Sequence, residues 1–327
     1  MKKIDSSYKT IVFTVFFILG LLLIWLIKDL VFSLFIAFII MSALKPPVKF
    51  FQKKGIPRGI VATLIYIIFI AIIVNVFTIV LPPLINESLS LFKTLPGVLH
   101  ALSPSLGTIL NINSLSQYIP NITNQFIKIA GGIFSNTLFV ISTLFFGFYF
   151  LLEEELIKKA LVRFGSESGV KKVAVFFDQV ETRLNAWFWG ELVLMIIVGL
   201  MSFVGFTIIG LKYTIALAVL AGLLEVVPNL GPTLSAIPAV LIGLSQSYPL
   251  GLVALVVSIL VQQLENNLIV PVVMKKAVGL NPIVTLIALI VGGKVGGVLG
   301  VLLAIPATLF LETLIIEIVK TRSAGHI

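Results

Sequence analysis

The chain has no cysteine, two histidines and few charges, and each of these shortages excludes a class of site. Without cysteine there is neither a disulfide framework nor a thiolate metal site. The two histidines, His100 and His326, are too far apart in sequence to suggest a metal cluster. No P-loop pattern occurs, which argues against ATP as an energy source. We therefore predict no cofactor and no metal, and no nucleophile–base pair points to an enzyme.

Charged residues make up only 11% of the 327 residues, whereas 59% are hydrophobic. Soluble domains are roughly a quarter charged. Several apolar runs reach the roughly 20 residues that a membrane helix needs. The sequence therefore predicts an all-α, polytopic helical membrane protein with about eight membrane segments.

The net charge of +9 comes largely from lysines and arginines in short segments between the apolar runs. This distribution follows the positive-inside rule, so it indicates orientation in the lipid bilayer and not nucleic acid as a partner. It predicts a multi-pass protein of the cell membrane with both termini in the cytoplasm. The basic segments that support this orientation are 2–9, 45–58 and 320–322.

The distribution of apolar runs divides the chain into four regions. Predicted helices cover 11–27, 30–44, 59–81, 131–152 and 184–211. The regions are a three-helix scaffold at 1–83, an extracytoplasmic amphipathic segment at 84–130, a membrane helix with a cytoplasmic helical segment at 131–183, and a transport core at 184–327. The scaffold has few polar side chains, so we expect it to face lipid or other subunits of a homo-oligomer.

Two apolar segments of the transport core are interrupted by glycine and proline. Each arm of the first, 213–227 and 233–246, is about 22 Å long, which is shorter than a membrane core of about 30 Å. We predict re-entrant hairpins or broken helices here, although full crossings and an ordinary kinked bundle remain alternatives. The second segment has arms at 282–291 and 298–319. The predicted tips contain Pro228, Gly231 and Pro232 in the first segment and Gly293, Gly296 and Gly297 in the second.

Two acids, Glu225 and Glu265, interrupt these otherwise uncharged runs. A carboxylate in hydrocarbon costs about 2.5–3.5 kcal/mol on insertion scales, so each acid needs a partner, a proton or water. We predict that the two acids approach each other near the middle of the membrane and line a substrate or ion pathway. The other predicted members of this pathway are Asn229, Gln262, Gln263, Asn266 and Lys294.

This hypothesis has alternatives. If Lys294 does not reach the acids, at least one carboxyl group should be protonated at neutral pH. In a purely structural interpretation, Glu225 and Glu265 cap broken helices at opposite interfaces. A further acid, Glu191, lies near the start of the fifth helix, and we predict a boundary residue or salt-bridge partner there, with a position facing the pathway as the alternative.

Residues 185–315 resemble the AI-2E transporter family of bacterial membrane proteins. The motifs that carry the resemblance are Gly190-Glu191, Glu225 with Pro228-Asn229-Leu230-Gly231-Pro232, Ile237-Pro238-Ala239, Gln263-Leu264-Glu265 through Pro271, Val278-Gly279-Leu280-Asn281-Pro282, and Gly297–Gly300 with Ala304-Ile305-Pro306. The resemblance implies a secondary transporter of the bacterial plasma membrane. Some members of the family are linked to export of the quorum-sensing furanone autoinducer-2 and others to sodium–proton antiport, so the resemblance leaves the substrate open.

Three functions are therefore open. The first is proton-coupled export of a small polar solute whose hydroxyls bind Asn, Gln and Glu side chains. The second is antiport of a monovalent cation against protons, because carboxylate oxygens suit hard cations. The third is a non-transporting membrane scaffold or sensor that uses residues 84–130.

Overall fold

The structure is a computed structural model that describes residues 8–76, 78, 136–153, 167–228, 230–274 and 280–324. Every regular element in these residues is helical, which confirms the predicted all-α class. The predicted segment at 84–130 lies outside them. The elements are α1 Tyr8–Leu26, α2 Lys28–Gln52, α3 Arg58–Val76, α4 Thr137–Leu152, α5 Glu167–Ile208, α6 Thr214–Leu224, α7 Leu230–Gln246, α8 Tyr248–Leu264, a π-helical turn Glu265–Ile269, α9 Val270–Val273 and α10 Pro282–Ala324.

Five stretches of helix are long and apolar enough to cross a membrane. They are α2, α3, most of α5, the continuous stretch Tyr248–Val273 and most of α10. Shorter apolar helices occur in α1, α4 and α6. Most apolar side chains of α1 are exposed, including Phe13, Phe16 and Leu26. An apolar surface of this kind is suited to lipid, so the chain has the architecture of a polytopic membrane protein.

Helix α2 continues through Pro46 and Pro47 to Gln52, so the predicted end at residue 44 was wrong. A proline in a helix lacks the N–H that would bond the carbonyl four residues earlier. Here those two carbonyls belong to Ser42 and Ala43, and both accept hydrogen bonds from α5. Asn185 Nδ2 donates to the Ser42 carbonyl at 2.8 Å, and Trp189 Nε1 donates to the Ala43 carbonyl at 3.1 Å. Tertiary contacts that the local sequence does not reveal therefore keep this helix intact.

Helix α5 is a single element of 42 residues, where we predicted a separate cytoplasmic segment before a helix at 184–211. At 1.5 Å per residue it is about 63 Å long, roughly twice the thickness of a membrane core. Its first half packs Phe176, Val180 and Leu184 into the main hydrophobic core with α2. Residues of α3, α4 and α10 complete that core, including Tyr66, Leu151 and Leu309.

Charged residues hold the helices together at one end of the molecule, which we call the basic end. Lys45 Nζ of α2 lies 2.6 Å from Glu181 Oε2 of α5, and this lysine is buried, whereas we expected a solvated loop. Arg183 of α5 pairs with Glu312 of α10. Arg58 Nη2 donates to the carbonyl of Leu151 at 2.8 Å, at the C-terminus of α4. These contacts join α2, α3, α4, α5 and α10 at the same end.

The first predicted hairpin is formed by α6 and α7. The arms contain 11 and 17 residues, which correspond to about 16 Å and about 25 Å of helix. Neither arm alone reaches the roughly 30 Å of a membrane core. Gly231 follows the turn so closely that a Cβ there would overlap the Leu224 carbonyl. Glycine is therefore required for this tight turn.

The second predicted hairpin lies within α10, which reverses direction at Gly297. Its φ of 58° and ψ of −135° are not helical, and glycine is the residue that adopts them at little cost. Gly292 and Gly300 lie back to back, so that a Cβ on either would overlap the other's carbonyl. In a straight helix these residues would be about 12 Å apart. The first arm is helical up to the turn, so the predicted tip at 292–297 was too long.

Candidate functional site

Three acids meet where α5, the first hairpin and the π-helical turn pack together. Val198, Ala221 and Val261 form a small buried cluster between α5, α6 and α8. Glu225 and Glu265 follow Ala221 and Val261 by four residues, and Glu191 precedes Val198 by seven. Residues spaced by four or seven share a helix face. Packing of the three apolar residues therefore brings the three acids together, and we call Glu191, Glu225 and Glu265 the acid cluster.

Helices α5 and α6 approach each other closely just beside this cluster. A Cβ on Gly222 would lie 2.6 Å from the Met195 carbonyl oxygen and 3.4 Å from the Gly199 Cα. Any side chain at Gly222 would push the two helices apart. This contact lies one turn from Glu191 on α5 and one turn from Glu225 at the end of α6.

All three acids are buried. Glu191 is 3% exposed, and Glu225 and Glu265 are each 1% exposed. Electrostatic interactions link Glu191 to both of the other acids. They come from three separate elements, so helix packing assembles the cluster. No single turn or local sequence motif brings the three acids together.

A hydrogen bond joins the carboxyl groups of Glu225 and Glu265. Two carboxyl groups share a hydrogen bond only when one of them carries the donated proton, because an ionised carboxylate only accepts hydrogen bonds. Four other buried oxygens of the cluster have no hydrogen-bond partner among the described residues. They are both oxygens of Glu191, Oε2 of Glu225 and Oε2 of Glu265.

No lysine or arginine of the described residues forms an ion pair with the acid cluster. Lys294 is exposed on the first arm of α10, and the structure shows no contact between it and the acids. The structure therefore does not show Lys294 linking the two hairpins. In the described part of the chain, no three His, Asp or Glu side chains are grouped to hold a metal ion.

The predicted amide residues lie beside the cluster on α8 and the π-helical turn. In that turn the Val270 N–H bonds the Glu265 carbonyl five residues back. Gln262 Nε2 donates to Thr233 Oγ1 at 3.4 Å, which links α8 to the start of α7. Asn267 Nδ2 donates to Gln263 Oε1 at 2.9 Å, and Asn266 is exposed. A polar surface thus adjoins the buried acids.

The predicted tip residues occupy different positions. Pro232 and Gly231 are buried in the first turn of α7, while Pro228 is half-buried in the turn before it. Asn229 lies outside the described residues. Gly296 contacts the ring of Phe32 of α2, since a Cβ there would lie 3.0 Å from the ring.

Glu191 is the member of the acid cluster that sequence reasoning did not include among the predicted pathway residues. We predicted a boundary residue or a salt-bridge partner, but it is buried without a hydrogen-bond partner in the described structure. A signal was present, because Glu191 lies seven residues before Val198 in an apolar helix. Only the packing of α5 against the first hairpin shows which way that face points.

Comparison with known proteins agrees with the architecture of a polytopic membrane protein. The sequence model of the AI-2E family transporter matches residues 11–320, and the chain belongs to this family of transporters. It is 30% identical to the "Putative transport protein YueF" of Bacillus subtilis (strain 168), over 90% of this chain and 85% of YueF. Identity to the "Putative transport protein YrrI" of the same organism is 27%, over 94% and 93%. Identity to the "Putative permease PerM" of Escherichia coli (strain K12) is 23%, over 98% and 96%.

Proposed function

We propose that this chain is a secondary transporter that exports a small polar solute, resembling autoinducer-2, in exchange for protons bound at the acid cluster. The observation that carries this proposal is the set of three buried carboxyl groups, four of whose oxygens have no hydrogen-bond partner in the described part of the chain. Ionisable groups inside membrane segments are rare, and they commonly mark substrate or proton pathways.

The proton shared by Glu225 and Glu265 supplies the coupling step. When it leaves, the two carboxyl groups lose their hydrogen bond and two negative charges face each other. Buried like charges repel strongly, which favours a conformation that separates or hydrates them. Glu225 lies next to the hairpin turn and Glu265 lies in a π-helical turn, so movement of either element changes their separation. Proton binding thereby biases a conformational equilibrium.

The amide side chains beside the cluster supply the solute contacts. Gln263, Asn266 and Asn267 present both donors and acceptors and no charge, which suits a hydroxylated neutral solute. They are exposed on a segment that is long and apolar enough to cross a membrane. Exposed amides at that depth are tolerated where they face water or another protein surface. A solute pathway along this face satisfies them.

The second candidate is antiport of a monovalent cation against protons. The same unpartnered oxygens favour it, because carboxylate oxygens are good ligands for hard cations. In this case the cation replaces the proton between Glu225 and Glu265, and the amides complete its coordination.

We retain three further expectations as proposals. The basic end faces the cytoplasm of a bacterial cell, the chain forms a homo-oligomer through its N-terminal helices, and it performs no chemical reaction. Orientation is testable because the chain lacks cysteine. With the basic end inside, a cysteine at exposed Ser247, between α7 and α8, reacts with an impermeant thiol reagent from outside. A cysteine at exposed Lys54 does not.

The functional test uses Glu225→Gln and Glu265→Gln separately, with Asp178→Asn as the matched control. Asp178 is an exposed acid on α5. Each glutamine variant should reduce export of autoinducer-2 from cells at least tenfold, while the control exports normally. Cation-dependent collapse of a pH gradient in everted vesicles would instead support antiport. Normal transport by both glutamine variants at wild-type expression would refute the site.

A further inference from the structure

Glu191 differs from the other two acids in that neither of its oxygens has a hydrogen-bond partner in the described structure. The hydrogen bond between Glu225 and Glu265 uses one shared proton and involves no oxygen of Glu191. The coupling step proposed above therefore leaves Glu191 without a role. Its burial at 3% exposure means that water does not replace the missing partner at the surface.

Counting charges shows what Glu191 requires. With the single shared proton on Glu225 and Glu265, an ionised Glu191 leaves the cluster with two negative charges. Isolated charges buried in a protein cost several kcal/mol each, even after the surroundings relax. A second proton, placed on Glu191, lowers the cluster to one negative charge and removes the charge that has no hydrogen bond.

The elements packed around α5 offer no cation to Glu191 in the described structure. On α2 the nearest candidate is Lys45, which is held by Glu181. Glu181 precedes Glu191 by ten residues, or about 15 Å along the helix. On α10, Lys294 is exposed and Glu312 pairs with Arg183. The first hairpin and the π-helical turn present only Glu225 and Glu265 to this region.

We propose that Glu191 holds a second exchangeable proton, so that the acid cluster carries two protons: one shared by Glu225 and Glu265 and one on Glu191 alone. This inference rests on the proposed function for its role in transport, where it predicts two protons per cycle instead of one. The proton on Glu191 makes no hydrogen bond to any of the described residues in this conformation. It is therefore the proton that is distinguishable by spectroscopy.

The experiment is infrared spectroscopy of the full chain in liposomes at neutral pH, with exchange between H₂O and D₂O to identify protonated carboxyl groups. The wild type should show two C=O bands: one at the higher frequency of a carboxyl without a hydrogen bond, and one at lower frequency. Glu191→Gln should remove only the higher-frequency band. Glu225→Gln should alter the lower-frequency band, and Asp178→Asn should change neither.

Retention of the higher-frequency band in a folded Glu191→Gln variant would overturn the proposal, as would its absence from the wild type. Should Glu191→Gln fail to fold, Glu191→Asp provides the alternative, because it must shift the higher-frequency band without removing it. A band that does not move in that variant also counts against the assignment. The result is independent of transport: if Glu225→Gln and Glu265→Gln transport normally while the band behaves as expected, the proposed function fails and the second proton stands.

Discussion

Ionisable side chains at the basic end have partners of opposite charge, whereas those of the acid cluster have none among the described residues. At the basic end, Lys45 lies 2.6 Å from Glu181, and Arg183 pairs with Glu312 and donates to Thr313 Oγ1 at 3.0 Å. In the acid cluster, one hydrogen bond joins Glu225 and Glu265, Glu191 has no partner in the described structure, and no cation of the described residues pairs with the three acids. Both regions involve the same long helix, α5.

The comparison distinguishes ionisable groups that stabilise the fold through ion pairs from ionisable groups that do not contribute to it in this way. A buried charge with a partner is compatible with a stable fold, whereas an unpaired one is strongly destabilising. On the same helix, Glu181 pairs with Lys45, whereas Glu191 has no partner among the described residues. Unsatisfied groups of this kind are expected where function is favoured at the expense of stability. The following predictions test whether the two regions really differ in this way.

The largest effect is expected from breaking the Lys45–Glu181 pair. Lys45→Met leaves Glu181 without its cation, and removing one partner of a buried pair costs about 3 kcal/mol. The measurement is the free energy of unfolding in mixed detergent micelles. Lys171→Met, on the exposed face of α5, is the control and should change little.

The double variant Lys45→Met with Glu181→Leu sharpens this result. Replacement of both partners by apolar residues is often neutral, so most of the lost stability should return. A double variant as unstable as Lys45→Met alone would mean that packing, and not the ion pair, is responsible.

The next effect tests how the acid cluster is assembled. Gly222→Ala forces α5 and α6 apart at the Met195 carbonyl, and overpacking of this kind costs about 1–3 kcal/mol. It should also reduce transport, because it moves Glu225 away from Glu191. Gly59→Ala is the control, since nothing lies within 4 Å of a Cβ there. Equal stability of the two variants would contradict the close packing of these helices.

Sequence reasoning predicted the helical class, both hairpins and the buried positions of Glu225 and Glu265 in apolar segments. These features depend on local signals: long apolar runs, Gly and Pro at the turns, and acids with no neighbouring charge. The extent of α2 was not predictable in this way. Pro46 and Pro47 indicate an end, but the side chains that satisfy the freed carbonyls lie about 140 positions later, on α5.

The same limit applies to the site. Glu191 precedes Val198 and Glu225 follows Ala221 at helical spacing. The sequence alone does not show that Val198 and Ala221 pack together. Whether Lys294 reaches the acids was likewise left open by the sequence, and Lys294 is exposed in the structure. Packing between distant elements decides both cases. The role of the acids in transport remains a prediction.

A smaller effect is expected where α5 supports the prolines of α2. Asn185→Ala leaves the Ser42 carbonyl without its donor, which costs about 1–2 kcal/mol for a buried group. In a background of Pro46→Ala the helix regains an N–H for that carbonyl, so the cost of Asn185→Ala should fall. An unchanged cost in that background would show that Asn185 stabilises the protein by another contact.

The smallest effect is expected from Glu191→Gln, which we compare with the same substitution at Glu181, the acid that pairs with Lys45. Glu181→Gln removes the charge that Lys45 requires and should cost about 3 kcal/mol of unfolding free energy. Glu191→Gln replaces a carboxyl group that we infer to be neutral with a neutral amide of the same shape. It should therefore change stability by less than about 1 kcal/mol, within the range of substitutions that remove no partner.

If Glu191 is instead ionised, the same substitution relieves a buried unpaired charge and stability should rise by several kcal/mol. Measurement of both variants in the same micelles decides between these outcomes. Glu181→Gln shows the cost of losing a paired charge, and a much smaller effect of Glu191→Gln is expected only if Glu191 is neutral.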